Sequence, residues 1–233
     1  MNTEYENWKK NIIIFLSSQT ISLFGSSLVQ YAIMWHITLT TQSGMMMTLF
    51  ILCGFIPTFI LSPFAGVWAD RYNRKVLIIL SDGLIAVSTL IMAIVFLMGY
   101  EDVWLLFAMS AIRAIGTGIQ GPAVGAILPQ IVPEDKLTKV SGTNGSIQAI
   151  IMFVSPMASA ALLTMASLEI IFFIDVVTAA IAIVTLLVFL KVPVHAKASE
   201  VQTSSYLDDF KAGLTYINNH AFLKTFFLFF ALF

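Results

Sequence analysis

Three ionisable side chains stand where an apolar chain has least room for them. Arg113, Asp82 and Asp175 each lie inside a long run of hydrophobic residues. An arginine at the centre of a bilayer costs about 2.5–3.5 kcal/mol on insertion scales. Arg113 must therefore face the interior of a helix bundle and meet a partner or water. Either Asp82 or Asp175 can be that partner. Asp82, near one end of its run, can instead serve the loop that precedes it. Two chemistries follow. One is a static ion pair that orders the bundle. The other is a proton or substrate relay, in which an intramembrane acid is neutralised as access alternates.

Polar stripes accompany these charges. Ser18, Ser22, Ser26 and Gln30 recur every four residues, which places them on one slowly drifting helix face. Arg113, Thr117 and Gln120 follow at i, i+4 and i+7. Ser141, Gly145, Gln148, Met152, Ser155 and Ser159 form a third stripe. Small and polar residues can serve simply as glue between membrane helices. Gln30, Gln120 and Gln148 point further, to an aqueous cavity shared by three helices, with Met152 and Phe55 as additional lining candidates. Other chemistries lack their residues. The single Cys53 excludes a disulfide framework or thiolate cluster. His36, His195 and His220 show no metal-ligand spacing. No Ser–His or paired-Asp arrangement is present, so an enzyme is not expected.

The elements that must hold these residues are membrane helices. The chain has 233 residues, 58% hydrophobic and 11% charged, against about 45–50% and about 25% in soluble domains. A net charge of −1 gives no basis for binding nucleic acid. Six apolar runs, 12–35, 44–65, 76–98, 103–128, 141–166 and 168–190, reach the roughly 20 residues that a spanning helix needs. The first is too long for a signal peptide and lacks a small-residue cleavage site. Every Lys and Arg except Arg113 falls in alternate connections or in the two flanking segments. The positive-inside rule makes that side cytoplasmic, N-terminus included, in a multi-pass protein of the cell membrane. Leu207, Phe210, Leu214 and Ile217 predict an amphipathic surface helix within 206–224. The domain reading is a six-helix bundle over 1–190, a cytoplasmic linker over 191–220, and a truncated start of a seventh span over 221–233.

The most specific motif joins the second and third runs: Gly66-Val67-Trp68-Ala69-Asp70-Arg71-Tyr72-Asn73-Arg74-Lys75. Gly66 is read as a point of close helix approach and Asn73 as a left-handed turn residue. The order of residues resembles the major facilitator superfamily signature G-x-[LW]-A-D-R-x-G-R-[RK], with Asn73 in place of the usual Gly. Arg113-x-x-Gly116-x-Gly118 resembles the superfamily's fourth-helix motif. Ser155-Pro156-x-x-Ser159-Ala160 is similar to the fifth-helix motif of its exporters, where Pro156 is expected to kink the helix. Arg113–Pro122, Leu128-Pro129-x-x-Val132-Pro133-Glu134, Leu137–Gly142 and Ile174-Asp175 further resemble the macrolide-efflux group.

The resemblance implies an all-α integral membrane fold. Six spans would form the N-terminal half of a transporter, built from two inverted three-helix repeats, with a seventh span beginning. It implies a conformational-switch loop at Gly66, Asp70, Arg71, Arg74 and Lys75, and proton coupling at Arg113, with Asp82 and Asp175 as the other intramembrane charges. It implies proton-coupled efflux of amphipathic, macrolide-like drugs by alternating access, driven by the proton gradient without a cofactor. The partners expected are a small-molecule drug, the lipid bilayer and a missing six-helix C-terminal half. The alternatives are an inactive or regulatory membrane fragment, or export of a siderophore-like metabolite.

Overall fold

The computed structural model describes residues 7–190, 192, 215–216 and 218–232. Seven helices fall among them: α1 Trp8–Thr41, α2 Gly44–Arg71, α3 Arg74–Leu97, α4 Val103–Ile131, α5 Glu134–Met165, α6 Leu168–Phe189 and α7 Ala221–Leu232. No strand occurs among the described residues. The first six are long and apolar enough to cross a membrane. α1, with 34 residues, extends about 51 Å at 1.5 Å per residue, beyond a hydrocarbon layer of about 30 Å. α1, α2, α4 and α5 thus continue past the apolar runs that mark them in sequence. α7 has 12 residues, short of a span. Most of the expected linker and amphipathic helix lies outside the described residues.

Local chemistry sets the helix ends. Ser43 Oγ accepts from the Met46 amide at the start of α2, and Asp102 Oδ1 accepts from the Trp104 amide at 2.9 Å at the start of α4. These side chains satisfy amides that have no partner within the helix. Glu134 and Asp135 place negative charge in the first turn of α5, at the positive end of its dipole. Proline at 156 leaves α5 continuous from Glu134 to Met165.

The packing has internal symmetry. α2 packs chiefly on α4, α5 on α1, and α1 on α6 just as α4 does on α3, while α3 and α6 meet each other. Exchanging α1–α3 with α4–α6 maps this pattern onto itself. Short turns reverse direction after each helix, so a repeat of three spans is inverted relative to the next. α2 and α5 bury little of their surface within the described bundle.

The core comes in two apolar layers. One gathers Leu28, Ile33, Phe96, Phe107, Ile171 and Phe172. Phe96 meets Phe172 edge-on there, with centroids 5.7 Å apart. The other gathers Phe15, Ile78, Ile127, Ile131 and Leu186. On α1, α3, α4 and α6 the buried polar residues fall between these two sets in sequence. Ser22 follows Phe15 and precedes Leu28; Asp82 follows Ile78 and precedes Met92; Arg113 follows Met109 and precedes Ala123; Asp175 follows Phe172 and precedes Leu186. The bundle is therefore a polar layer between two apolar ones.

Close approach brings α2 and α4 together at Gly118, where a Cβ would lie 3.1 Å from Thr58 Cα. Thr58 Oγ donates to the Ala114 carbonyl across the same contact at 3.0 Å. Gly118→Val should lower stability by about 1–3 kcal/mol through overpacking. Gly121→Ala, three residues on, faces open space and should not lower stability, since alanine favours a helix interior over glycine. Thermal melting of the two variants in detergent checks the contrast.

Candidate functional site

α4 carries Arg113 about ten residues from its start, near 15 Å along the axis. The side chain is almost fully buried. Its Nη1 lies 2.6 Å from Asp175 Oδ2 of α6, which is itself completely buried. Asp175, of the two acids within reach in sequence, is thus the ion-pair partner. Thr89 of α3 ties into the pair: its hydroxyl lies 2.8 Å from Asp175 Oδ2 and accepts from Arg113 Nη1. α1 supplies the rest. Ser26 Oγ donates to Asp175 Oδ1 at 2.8 Å, and the Ser26 carbonyl accepts from Arg113 Nη2 at 3.0 Å. One ion pair thus draws together α1, α3, α4 and α6. A buried pair is worth keeping only when its remaining donors and lone pairs are met, and these partners meet most of them. Arg113 Nε has no partner among the described residues.

Asp82 on α3 has different surroundings. It is 1% exposed. Its Oδ1 accepts from Ser22 Oγ at 3.0 Å and from Gln120 Nε2 at 2.5 Å, and its Oδ2 from Gln19 Nε2 at 3.4 Å. These donors come from α1 and α4, not from the loop before α3. The α1 stripe therefore serves both acids: Gln19 and Ser22 bind Asp82, and Ser26 binds Asp175. Ser18 bonds within its own helix, to the Phe15 carbonyl. Gln30 reaches α2 at Gly54, where a Cβ would stand 3.5 Å from its amide nitrogen.

A cavity of about 430 Å³ opens between α1 and α5, lined by Leu23, Ser27 and Tyr31 on one side and Gly145, Gln148, Ala149, Ile151 and Met152 on the other. Gln148 and Met152 thus line a pocket, while Gln120 is turned to Asp82. The α1 residues in this wall sit one position beyond Ser22, Ser26 and Gln30, on the adjoining face. Phe55 stacks on Phe59 at 5.7 Å on the exposed side of α2. Ser155 and Ser159 are fully buried, and Ser159 Oγ donates to the Leu28 carbonyl at 3.1 Å, tying α5 to α1. A pocket of this volume, apolar with a few polar groups, is the size of small-ligand sites.

The loop motif is mostly helix. Only Tyr72 and Asn73 lie between α2 and α3. Two expectations change here. Asn73 is not left-handed: its φ is −64° and its ψ 113°. It caps α3 instead, with Oδ1 accepting from the Lys75 amide at 3.0 Å and the Val76 amide at 3.4 Å. An N-cap needs an extended backbone and a side-chain oxygen, which Asn supplies and Gly lacks. Nor does Gly66 mark a close approach among the described residues, where a Cβ there would meet nothing within 4 Å. Arg74 donates to the Ala69 carbonyl and to the Ala126 carbonyl of α4, each at 2.9 Å. Its pair with Asp70 spans 3.6 Å, but Asp70 is 59% exposed, where such a pair contributes little. Arg71 is buried. Lys75 Nζ lies 2.7 Å from the Leu190 carbonyl, at the end of α6. A lysine there satisfies an orphan carbonyl and the negative end of the helix dipole. The motif thus holds the adjacent ends of α2, α3, α4 and α6 together.

Thr89, Gln19 and the capping role of Lys75 were not singled out in sequence. Thr89 had a signal: it stands seven residues after Asp82 and so shares its face. Lys75 and Leu190 are far apart in the chain, and no local pattern links them.

A multi-pass bundle of two repeats, with a charged layer at membrane depth and a pocket beside it, defines the chain as a membrane protein of transporter architecture. The sequence model of the Major Facilitator Superfamily matches residues 11–233. The chain is 37% identical over 182 residues to Macrolide efflux protein A of Streptococcus pyogenes, covering 78% of this chain and 45% of that protein. It is 39% identical over 137 residues to Macrolide efflux protein A of Enterococcus faecalis, covering 59% and 42%. It is also 24% identical over 226 residues to the uncharacterized MFS-type transporter YvqJ of Bacillus subtilis, covering 93% and 52%. The chain belongs to the Major Facilitator Superfamily. It spans about half the length of the curated relatives that it matches.

Removing one member of the buried pair should be costly. Asp175→Asn leaves the Arg113 charge without its counter-ion and should lower stability by about 3–5 kcal/mol. The double variant Arg113→Met/Asp175→Leu should recover most of that loss. Thermal unfolding in detergent, run on both, checks the sign and the recovery.

Proposed function

We propose that the chain forms one half of a secondary transporter that expels amphipathic, macrolide-like drugs in exchange for protons. The observation that carries this reading is the pairing of a membrane-depth pocket with a buried charge layer. α1 contributes to both: Leu23, Ser27 and Tyr31 line the pocket, while Gln19, Ser22 and Ser26 hold the two acids. A one-residue step around one helix thus connects the substrate space to the ionisable groups. A change in either acid's hydrogen bonds acts on the wall of the pocket. The relatives named for macrolide efflux support the substrate class.

The pocket suits an amphipathic ligand. Leu23, Ile151 and Met152 offer apolar surface, Met152 adaptable in shape. Ser27, Tyr31 and Gln148 offer hydrogen bonds. A second six-helix half would close the other side, and alternating access would come from rocking one half against the other. In this reading the Asp70–Lys75 segment is the switch. It grips four helix ends of this half, so a contact from the other half at this segment would act on all four at once. The basic residues of the connections support a cytoplasmic location for it and for the N-terminus. The proton gradient supplies the energy, with no bound cofactor.

Cells that express the complete coding frame should accumulate less radiolabelled macrolide than cells with an empty vector. A protonophore should restore accumulation. Arg113→Ala should accumulate drug as the empty vector does, while the protein still inserts into the membrane. Export that persists with the protonophore would overturn proton coupling, and full export by Arg113→Ala would overturn the role of the charge layer.

A further inference from the structure

The buried layer is one positive charge short. Arg113 brings one cation, and Asp82 and Asp175 bring two carboxylates. Arg113 is spent on Asp175. No Lys, Arg or His among the described residues pairs with Asp82. α1 presents only Gln19 and Ser22 to it, and α4 only Gln120. From α6 the charged group that acts on it is Asp175, another acid. Hydrogen bonds from neutral groups steady an anion but leave its charge in place. A carboxylate held in a low-dielectric interior with no counter-ion is completed by one small cation, and a proton is the cation that needs no extra space.

The two oxygens of Asp82 are not equivalent. Oδ1 accepts two bonds, at 2.5 Å and 3.0 Å, while Oδ2 has only Gln19 at 3.4 Å. A proton adds where a lone pair is free, at Oδ2. The new hydroxyl then needs an acceptor. The side-chain amide of Gln19 has an oxygen and a nitrogen of nearly the same shape, and a half-turn exchanges them. Gln120 on the other oxygen keeps its donor, and it is only half-buried, so the cluster reaches the surface of the bundle on that side.

We propose that Asp82 is the residue of the charge layer that takes up and releases the transported proton, on Oδ2 and with Gln19 turning its amide to accept it, while Arg113 and Asp175 remain a fixed pair. The step is carboxylate plus one proton from water to carboxylic acid, with no other bond changed. It rests on the proton-coupled reading above and names the acid that performs it.

Infrared difference spectra of the full-length protein in proteoliposomes, acidic minus alkaline buffer, test the assignment with no drug present. Wild type should show a carboxylic-acid carbonyl band that is missing from the isosteric Asp82→Asn. Should Asp82→Asn fail to fold, Asp82→Glu should move that band without abolishing it. Gln19→Leu should keep the band and move it to higher frequency, because the acid loses its acceptor. A band that survives in Asp82→Asn or stays put in Asp82→Glu overturns the proposal. So does a spectral change driven by sodium at constant pH. A frequency unchanged in Gln19→Leu overturns the role of Oδ2 and Gln19. The two readings fail separately: macrolide export without an Asp82 band overturns only this assignment, and an Asp82 band without macrolide export overturns only the substrate.

Discussion

The bundle is organised by the need to neutralise charge where water is scarce. Arg113 and Asp175 meet near the middle of α4 and α6 at 2.6 Å, and each remaining polar atom of the carboxylate is met by α1 or α3. An ion pair at this depth gains little by itself, because desolvation offsets much of the attraction. Its value is geometric. Only one relative placement of α1, α3, α4 and α6 brings Ser26, Thr89, Arg113 and Asp175 together. Apolar layers on either side, around Phe96 and Phe172 above and Phe15 and Ile127 below, keep water from that layer. They would pack in several registers; the polar layer selects one.

This accounts for the division of labour among the helices. α3 and α6 carry the acids on their buried faces and expose apolar residues on the opposite ones. α1 and α4 carry the donors and cross between the repeats. α2 and α5 hold no part of the charge layer and leave much of their surface uncovered. They attach through backbone-directed hydroxyls, Thr58 to the Ala114 carbonyl and Ser159 to the Leu28 carbonyl. Such bonds need no charge and leave the outer faces of both helices free. The pocket forms where α5 meets the face of α1 next to its acid-binding stripe.

The loop motif obeys the same economy at the bundle's end. Helix termini leave carbonyls and amides without partners. Asn73 takes the first amides of α3, Lys75 takes the last carbonyl of α6, and Arg74 takes carbonyls of α2 and α4. The residues that look in sequence like topology signals and an ion-pair cluster act mainly as caps. Asp70 lies exposed at the rim.

Much of this was legible in the residues alone. Six spans follow from apolar length, because a backbone in lipid must satisfy its own hydrogen bonds and a helix does so within one segment. The depth of Arg113, and its need for an acid, follow from the cost of an isolated charge there. The family follows from the Asp70–Lys75 motif. Partner choice did not follow. Asp82 and Asp175 are chemically alike, and only the packing of α6 against α3 and α4 gives Asp175 the guanidinium and leaves Asp82 to neutral amides. The polar stripes read as cavity lining proved to be shared between cavity and charge layer, since a helix turns 100° per residue and one position decides which neighbour a side chain meets. The type of Asn73 suits both a left-handed turn and an N-cap, and only the backbone angle separates them. Sequence determines what each helix must bury; the tertiary arrangement decides against whom, because contacts between distant segments depend on helix rotation and register that no local pattern encodes.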